Sequence, residues 1–559
     1  MNLSRLGLSA LQNAQQNLQI TGHNISNSKV EGYNRQTVLS QTAGAQNIGA
    51  GYVGRGVQAV TVQRAYDSFV WNQLVQSQSA GASLITYGNE ISQVNNLFGD
   101  RTVGISPAIQ NFFDAMNAVA SSPSDPDARQ ELLGRAQSLV TQFNDAQSSL
   151  QAQRDNINTQ VRTTVSQINS YVERIHDMNQ QITAAKAATP DHSPNDLLDQ
   201  REQLVMELNQ LVDVKVIEQD GVFNLTLNNG QVLLGGSQVF PLQAQTSNSD
   251  PSKVVVAYTA AFEDGVGKTV QLQDSNFKGG QLGGLLRYRS ESLDATQNYL
   301  GRLAVGITSA INAVHAEGFD LSGNAGGDFF RIELGKPIPS NKSGVSPAPD
   351  LNISLTDANK LTASDYQIEF RNGEYSVKTL PNGPTKVVTP TEAENGFEID
   401  GVQFKFDGAS SAVDGDSWLV QPTRDAAARI ELVLDDPAKV AAAGKDADGN
   451  PLGSANGDIA LKLAKLQEQR TLGNGSLNFN EAYGQLVNKV AVQAQQNATA
   501  AKAQANLIQQ NYASQQRISG VNEDEEVLNL DKFLQQYRAA SRMIEVSSNM
   551  FDTLLGLRN

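Results

Sequence analysis

The chain has 559 residues, and its 42 basic and 58 acidic side chains give a formal net charge of −16, which excludes gripping a phosphate backbone through a basic surface. There is no cysteine, so thiolate nucleophiles, thiolate metal sites and disulfides are excluded together, and four histidines leave little for acid–base or metal chemistry. No stretch approaches the roughly 20 apolar residues that span a bilayer, so neither a membrane nor a nucleic-acid partner is expected, and the length predicts three or four domains.

Residues 1 to about 30 read as a helix. Gly7, Leu11, Ala14, Leu18, Thr21 and Ile25 follow spacings of four and three, a coiled-coil seam, and the opposite face is Gln, Asn and Ser. A Gly-rich stretch at 43–56 leads into the alternating run 57–62, a strand. From residue 64 to about 211 the pattern is helical, broken at Gly99-Asp100, at 121–126 and at 189–194. Asp125-Pro126 reads as an N-cap followed by proline at the first helical position.

Residues 214–240 alternate around the turn Asn228-Asn229-Gly230, a hairpin signature, and 254–272 continue as strand. Helical periodicity resumes at Leu285 and runs to His315. Residues 345–424 are the most strand-rich block, with Arg371-Asn372-Gly373-Glu374 as the turn of a hairpin. After Asp425 the chain is expected to return to helix. A long Ala- and Gln-rich helix begins near Asn480 and ends at Ser519-Gly520. The last helix starts at Asn522, read with Glu525 as a capping box, and the acid run 523–526 sits at the positive end of its dipole.

That last helix carries the most specific pattern. Leu530, Leu534, Tyr537, Ser541, Ile544, Ser548, Phe551 and Leu555 keep the four–three spacing without a miss. Such a heptad predicts a left-handed supercoil along a rod of roughly 45 Å. Docking on the chain's own core is the plain alternative. Against it, both ends carry matching narrow seams that mix Leu with Ala, Gly and Ser, which suits several closely packed helices.

The expected architecture is α+β multidomain. Its N- and C-terminal helices (1–60 and 500–559) pair as a coiled coil. Between them lie a mainly helical middle domain (61–344) with a β subdomain at about 213–275, an inserted outer β domain (345–424), and the return of the middle domain (425–499). Helices with narrow apolar stripes are marginal alone, and ordering a residue costs about 1–2 kcal/mol. Both ends are therefore expected to be largely disordered in the monomer and to fold on assembly.

Several strings resemble chemical motifs. Residues 49–54 match a dinucleotide fingerprint, but a strand follows where a helix is required. Asp446-Ala447-Asp448-Gly449-Asn450 resembles the start of a calcium loop, yet Pro451 and Gly457 stand at its sixth and twelfth positions, so a solvated turn is expected. His176 and His315 lack a second ligand at metal spacing, and Trp71 and Trp418 read as core. No catalytic, cofactor-binding or metal residue is expected.

The strip 20–36, which contains Asn24, Asn27 and Gly32-Tyr33, resembles the N-terminal signature of flagellar rod, hook and hook-associated proteins. In that family an Asn-X-X-Asn helix end leads into a Thr-Pro-Gly-Tyr-type turn; here Val30-Glu31 replaces Thr-Pro. Residues 51–57, 283–289, 311–315 and 551–555 resemble the hook-associated members. The resemblance implies a structural subunit joining hook to filament, exported through the flagellar type III apparatus without a cleaved signal peptide. The implied partners are further copies of itself in a ring, the hook protein, a second junction protein and an export chaperone on the C-terminal helix. The expected assembly residues are Leu11, Leu18, Asn24, Ile25, Asn27, Gly32, Tyr33, Leu530, Leu534, Tyr537, Ile544, Phe551 and Leu555. The rival readings are another type III-secreted coiled-coil protein and a surface enzyme carried by the outer domain.

Overall fold

The computed structural model describes residues 2–47, 49, 51–99, 104–260, 268–340 and 348–557. Ala50 and Asp100, in the Gly-rich stretch and the first helix break, lie outside the described residues, as do 261–267 of the predicted strand region and the first residues of the 345–424 block.

Helix α1 (Asn2–Asn27) ends three residues earlier than the periodicity suggests, in the turn that leads to Gly32. Strands β1 (Gln36–Thr42) and β4 (Val57–Arg64) pair antiparallel with a slip in register at Leu39/Ser40, and β2 (Ala45–Asn47) and β3 (Tyr52–Gly54) form a hairpin between them. Four helices follow: α2 (Ser68–Gly99), α3 (Ile105–Ser121), α4 (Pro126–Ala188) and α5 (Asn195–Leu211). The Asp125 carboxylate accepts from the Asp127 amide with Pro126 behind it, as the sequence predicts. Helix α4 has 63 residues, a spine about 95 Å long.

A meander of β5 (Val214–Gln219), β6 (Val222–Leu227), β7 (Val232–Gly235) and β8 (Gln238–Val239) packs on α4, beside a sheet of β9 (Leu242–Thr246), β10 (Val254–Ala260) and β11 (Lys268–Gln271). Helix α6 (Gly280–Tyr288) runs through a single π turn, Arg289–Leu293, into α7 (Asp294–His315). Glycine at 284 is what lets α6 cross α2: a Cβ there would stand 2.5 Å from the Ser83 carbonyl oxygen.

Strand β12 (Phe330–Arg331) precedes a second sheet unit. In it β13 (Ile338–Ser340), β20 (Ser417–Val420), β15 (Asp365–Arg371), β16 (Glu374–Leu380) and β17 (Thr385–Val388) form one sheet, and β14 (Asp350–Leu355), β19 (Val402–Asp407) and β18 (Phe397–Ile399) another. The short helix α8 (Pro390–Asn395) joins β17 to β18 and carries a capping box at Thr389/Glu392. The β15–β16 hairpin turns at Asn372-Gly373, both at positive φ, as its sequence demands. Tyr366, Ile368, Tyr375, Phe404, Phe406 and Trp418 fill a core of their own, which Val305 of α7 completes from the helical side.

A buried ionic cluster binds this unit to the helices. Arg424 donates to Asp294 of α7 at 2.7 Å, to Asn298 at 2.9 Å, and to Asp365 of β15. Arg154 of α4 and Lys253 reach the same Asp294 at 2.6 and 2.5 Å. Burial opposes ionisation of Asp294, but Arg424, Lys253 and Arg154 together outweigh it and hold the group well below the ordinary carboxylate range.

The expected return to helix after Asp425 does not occur there. Residues 425–457 form short 3-10 turns and β21 (Glu431–Leu432), which pairs with β12. The alanines at 441–443 are buried, but Pro437, Gly444, Pro451 and Gly453 prevent a helix, and loop-to-loop hydrogen bonds satisfy the backbone instead. Helix resumes at α9 (Asp458–Lys465), then at α10 (Phe479–Ser519), whose N-cap Asn478 makes a full capping box with Glu481. The last helix is α11 (Glu523–Gly556). Its N-cap Asn522 accepts from the amides of Asp524 and Glu525, while the Glu525 carboxylate faces Arg35 rather than completing a box.

Helix α10 lies along α2. Asn497, Gln504 and Asn511, spaced by seven, each donate a side-chain amide to an α2 carbonyl, those of Leu84, Ser77 and Gln73. Among the described residues no helix is long and apolar enough to cross a membrane.

Candidate functional site: the terminal helix pair and its joint

Helices α1 and α11 lie antiparallel, with Asn24 level with Glu526 and Gly7 level with Ala540 and Ile544. The approach is close because the contact residues are small. A Cβ on Gly7 would stand 2.8 Å from Ile544 Cγ1 and 3.3 Å from the Ala540 carbonyl oxygen. On α1 the buried residues are Gly7, Ala14, Thr21 and Asn24; on α11 only Glu526 and Ala540 are buried.

Most of α11 is therefore uncovered. Leu11, Leu18, Ile25, Leu534, Tyr537 and Ile544 are half-buried, whereas Leu530, Phe551 and Leu555 are exposed. The less exposed side of α11 comprises 526, 529, 533, 534, 537, 540, 541, 543, 544 and 547. It includes Leu534, Tyr537, Ser541 and Ile544 of the predicted seam, whereas Leu530, Ser548, Phe551 and Leu555 are exposed. With Gly7 at the level of Ile544, α1 begins near Ser547, so the last turns of α11 overhang. Met550, Phe551, Leu554, Leu555 and Leu557 are all exposed there, Leu554 to 65% and Leu557 to 80%.

The other end of the pair is a polar joint. Asn24 is 1% exposed, and each of its hydrogen-bonding positions is filled. Its amide donates to the Gln36 carbonyl at 2.8 Å and to Glu526 Oε2 at 3.1 Å. Its oxygen accepts from the Tyr33 hydroxyl at 2.7 Å and the Gln36 amide at 3.0 Å. Asn24 thus treats Gln36 as a neighbouring strand would, anchoring β1 to the end of α1. With the Tyr33 hydroxyl spent on Asn24, His23 Nδ1 is the donor in its 3.0 Å bond to that oxygen. Burial, and then the charges of Asp196, Asp199 and Glu526, push the Tyr33 hydroxyl above its ordinary pKa, so it remains a donor.

Glu526 is buried and answered by Arg35, whose Nη2 lies 2.6 Å away. The Arg35 amide donates to the Ser519 carbonyl, so one residue holds the end of α10 and the start of α11. Asn34 and Gln36 fasten the same segment to α5 through Asp199 and Asp196, and Arg64 of β4 binds Asp199 and Glu202 at 2.6 and 2.5 Å. Gly32 has φ +80°, and a Cβ there would meet Gln203 Oε1 at 2.9 Å. Asn27 donates back to the His23 carbonyl and closes the last turn of α1.

The sequence reading picked out Asn24, Asn27, Gly32 and Tyr33 but missed Arg35, Glu526, Asp199 and Arg64. The available signal for Glu526 was its place at the end of the acid run 523–526, one turn before Leu530. The other recognised strings also have structural work. In 283–289, Arg287 reaches Asn497 and Arg289 reaches Asp274 and the Val254 carbonyl. In 311–315, Asn312 accepts from the amides of Phe329 and Phe330, and one turn on His315 Nδ1 donates to the Gly327 carbonyl while Nε2 accepts from the Ala441 amide. The Asp446 carboxylate caps its own loop by accepting from the Asp448 and Asn450 amides. Among the described residues no group of His, Cys, Asp or Glu could hold a metal ion.

Terminal helices meeting at a polar joint, a long helical body and an inserted β unit define a multidomain α+β chain, and comparison supplies its family. The model described as "Flagellar hook-associated protein FlgK helical domain" matches residues 91–330, and "Flagellar hook-associated protein 1, D2-like domain" matches 340–422. Flagellar hook-associated protein 1 of Escherichia coli (strain K12) is 36% identical, over 99% of this chain and 98% of that protein. The same protein of Salmonella typhimurium is 36% identical, over 99% of both chains. The structure of the flagellar hook junction protein FlgK from Burkholderia pseudomallei superposes with a TM-score of 0.73 at 28% identity, covering 80% of this chain and 100% of that one. The chain belongs to the flagellar hook-associated protein 1 family.

Proposed function

We propose that this chain is a structural subunit of the bacterial flagellum that polymerises at the hook tip and joins hook to filament. The observation that carries the reading is the uncovered α11. Of its 34 residues only Glu526 and Ala540 are buried, while Leu528, Phe551, Leu554 and Leu555 face solvent. Burying one such side chain contributes roughly 1.5–3 kcal/mol, so neighbouring copies that cover this face supply most of the driving force for packing it.

The terminal pair is read as a coiled coil that acts as a templated interface. The Arg35–Glu526–Asn24 joint sets the direction of α11, and the existing tip orders each incoming pair and presents the next surface. Coupled folding here means completion on assembly: the joint docks α1 on α11 weakly within one chain, neighbouring copies order the pair fully, and α10 stays outside the process because its amide ladder ties it to α2 as far as Asn511. The β unit, bound to α7 through Arg424, projects as the outer domain. The partners are further copies in a ring, the hook protein below, a second junction protein above, and before export a chaperone that masks α11. The role is structural rather than catalytic, and the place of action is the external flagellum.

Labelling isolated flagella with antibody to this chain tests the placement. Label confined to the hook–filament boundary is expected; label along the filament, or none, contradicts it.

A further inference from the structure

Tyr299 of α7 lies against two cations from different helices. The Arg302 guanidinium carbon is 5.2 Å from the ring centroid, and Nζ of Lys489, on α10, is 4.6 Å from it. Neither cation makes a hydrogen bond or an ion pair with any described residue. Arg302 is nevertheless only 9% exposed. Burial lowers its pKa, and among the described residues only Tyr299 opposes that. Its nitrogens are not sealed from water but open to the cleft, and a guanidinium this enclosed with no carboxylate beside it is unexpected in a chain with 58 acidic residues against 42 basic ones.

Both cations line a cleft between the helical body and the β unit. One wall is α7 with Lys489 and Gln493 of α10, and the other is formed by residues 362–364 and 380–382. The acids of this cleft are already committed. Asp294 serves Arg154, Lys253 and Arg424; Asp365 serves Arg424 and Asn298; Glu291 faces Arg287 at 3.6 Å. The cleft thus presents two positive groups with no carboxylate partner among the described residues, and the Ser364 hydroxyl and Asn382 amide on the β side are further donors.

We infer that this cleft binds a small oxyanion of the carboxylate or phosphate type, held by Arg302 and Lys489. The guanidinium supplies paired donors for two oxygens, and the ammonium supplies a point charge. An oxyanion seated there touches both walls and braces the β unit against α7 and α10, beside the Arg424 cluster. Its source is either a free ion or a carboxylate of a second copy.

Inorganic phosphate, titrated into the purified full chain with sodium chloride adjusted to hold ionic strength constant, tests the site. Phosphate raises the melting temperature of the wild type, because a ligand of the native state stabilises it by mass action. Arg302→Gln and Lys489→Gln each weaken the apparent affinity by about tenfold or more. The half-buried position of Lys489 makes the second variant a check that does not depend on the fold tolerating the first. Arg331→Gln, which removes an exposed surface pair with Glu431, leaves the response unchanged. A second copy's carboxylate as the source adds self-association at high protein concentration that phosphate competes and Arg302→Gln removes; without that association the source is a free ion. No phosphate response in the wild type, or equal responses in wild type, Arg302→Gln and Lys489→Gln, overturns the inference.

Discussion

Asn24 donates its side-chain amide to the buried carboxylate of Glu526 at 3.1 Å, tying the end of the first helix to the start of the last across 502 positions of sequence. Removing Asn24 leaves Tyr33, the Gln36 amide and carbonyl, and Glu526 each short of a partner. Leaving one buried polar group unsatisfied costs about 1–3 kcal/mol. Asn24→Ala is therefore expected to release the terminal pair while the body keeps its stability. Hydrogen exchange checks this: protection falls across α1 and α11 and is unchanged in α4 and α7.

Gly7 sets how near the two terminal helices come. In Gly7→Ala the added Cβ stands 2.8 Å from Ile544 Cγ1 and 3.3 Å from the Ala540 carbonyl oxygen, so the helices must part slightly and a loss is expected. In Gly7→Leu the larger side chain must displace both neighbours, and overpacking of this kind costs about 1–3 kcal/mol. Limited proteolysis of the two variants should cut α1 faster in the order wild type, Ala, Leu.

His315 gives the fold a pH dependence. Burial lowers its pKa below 6.5, outweighing the bond to Gly327, and its Nε2 must stay unprotonated to accept from the Ala441 amide. In the unfolded chain the imidazole takes its proton at about 6.5. Below that pH the unfolded state binds more protons than the folded one, so this contribution is fully present above 6.5 and is lost as pH falls through 6.5 toward the folded value. His315→Gln is expected to be less stable at neutral pH and to show a shallower decline between pH 6.5 and 5, read from denaturant midpoints.

Arg424 is buried and answers two carboxylates on different units. Truncating one partner of a buried ion cluster typically costs about 3–5 kcal/mol. Arg424→Met should lower the melting temperature and loosen the β unit from α7 while β15, β16, β19 and β20 keep their pairing. Hydrogen exchange in those strands separates the two effects: unchanged protection supports a joint, and lost protection assigns Arg424 to the β core.

Much of the helical frame was legible because its signals are local. Asp125-Pro126, Asn372-Gly373 and Ser519-Gly520 mark boundaries through backbone chemistry that no distant residue overrides. The terminal seam was legible only as a period. Leu534, Tyr537, Ser541 and Ile544 of that seam lie on the less exposed side of α11, whereas Leu530 and the described residues beyond Ser547 are exposed. How close the partner helix comes rests on Gly7 and Ala14 admitting a close neighbour and on Glu526 being buried beside Arg35, relationships between opposite ends of the chain. Residues 425–457 were misread for a related reason. Their alanines carry helix propensity, but prolines and glycines interrupt the run, and acceptors elsewhere, His315 among them, satisfy its amides.

The overhang of α11 offers the most direct test of the account. Phe551 and Leu555 are 57% and 49% exposed and extend past the start of α1, whereas Ile544 touches Gly7 and serves the internal pair. The double variant Phe551→Asp/Leu555→Asp should therefore keep the circular dichroism and melting temperature of the purified wild-type chain. The measurement is the fraction of hooks bearing filaments, counted by electron microscopy in cells whose only copy of this protein is the double variant. The account predicts bare hooks and released filament protein; normal filaments on normal hooks would contradict it.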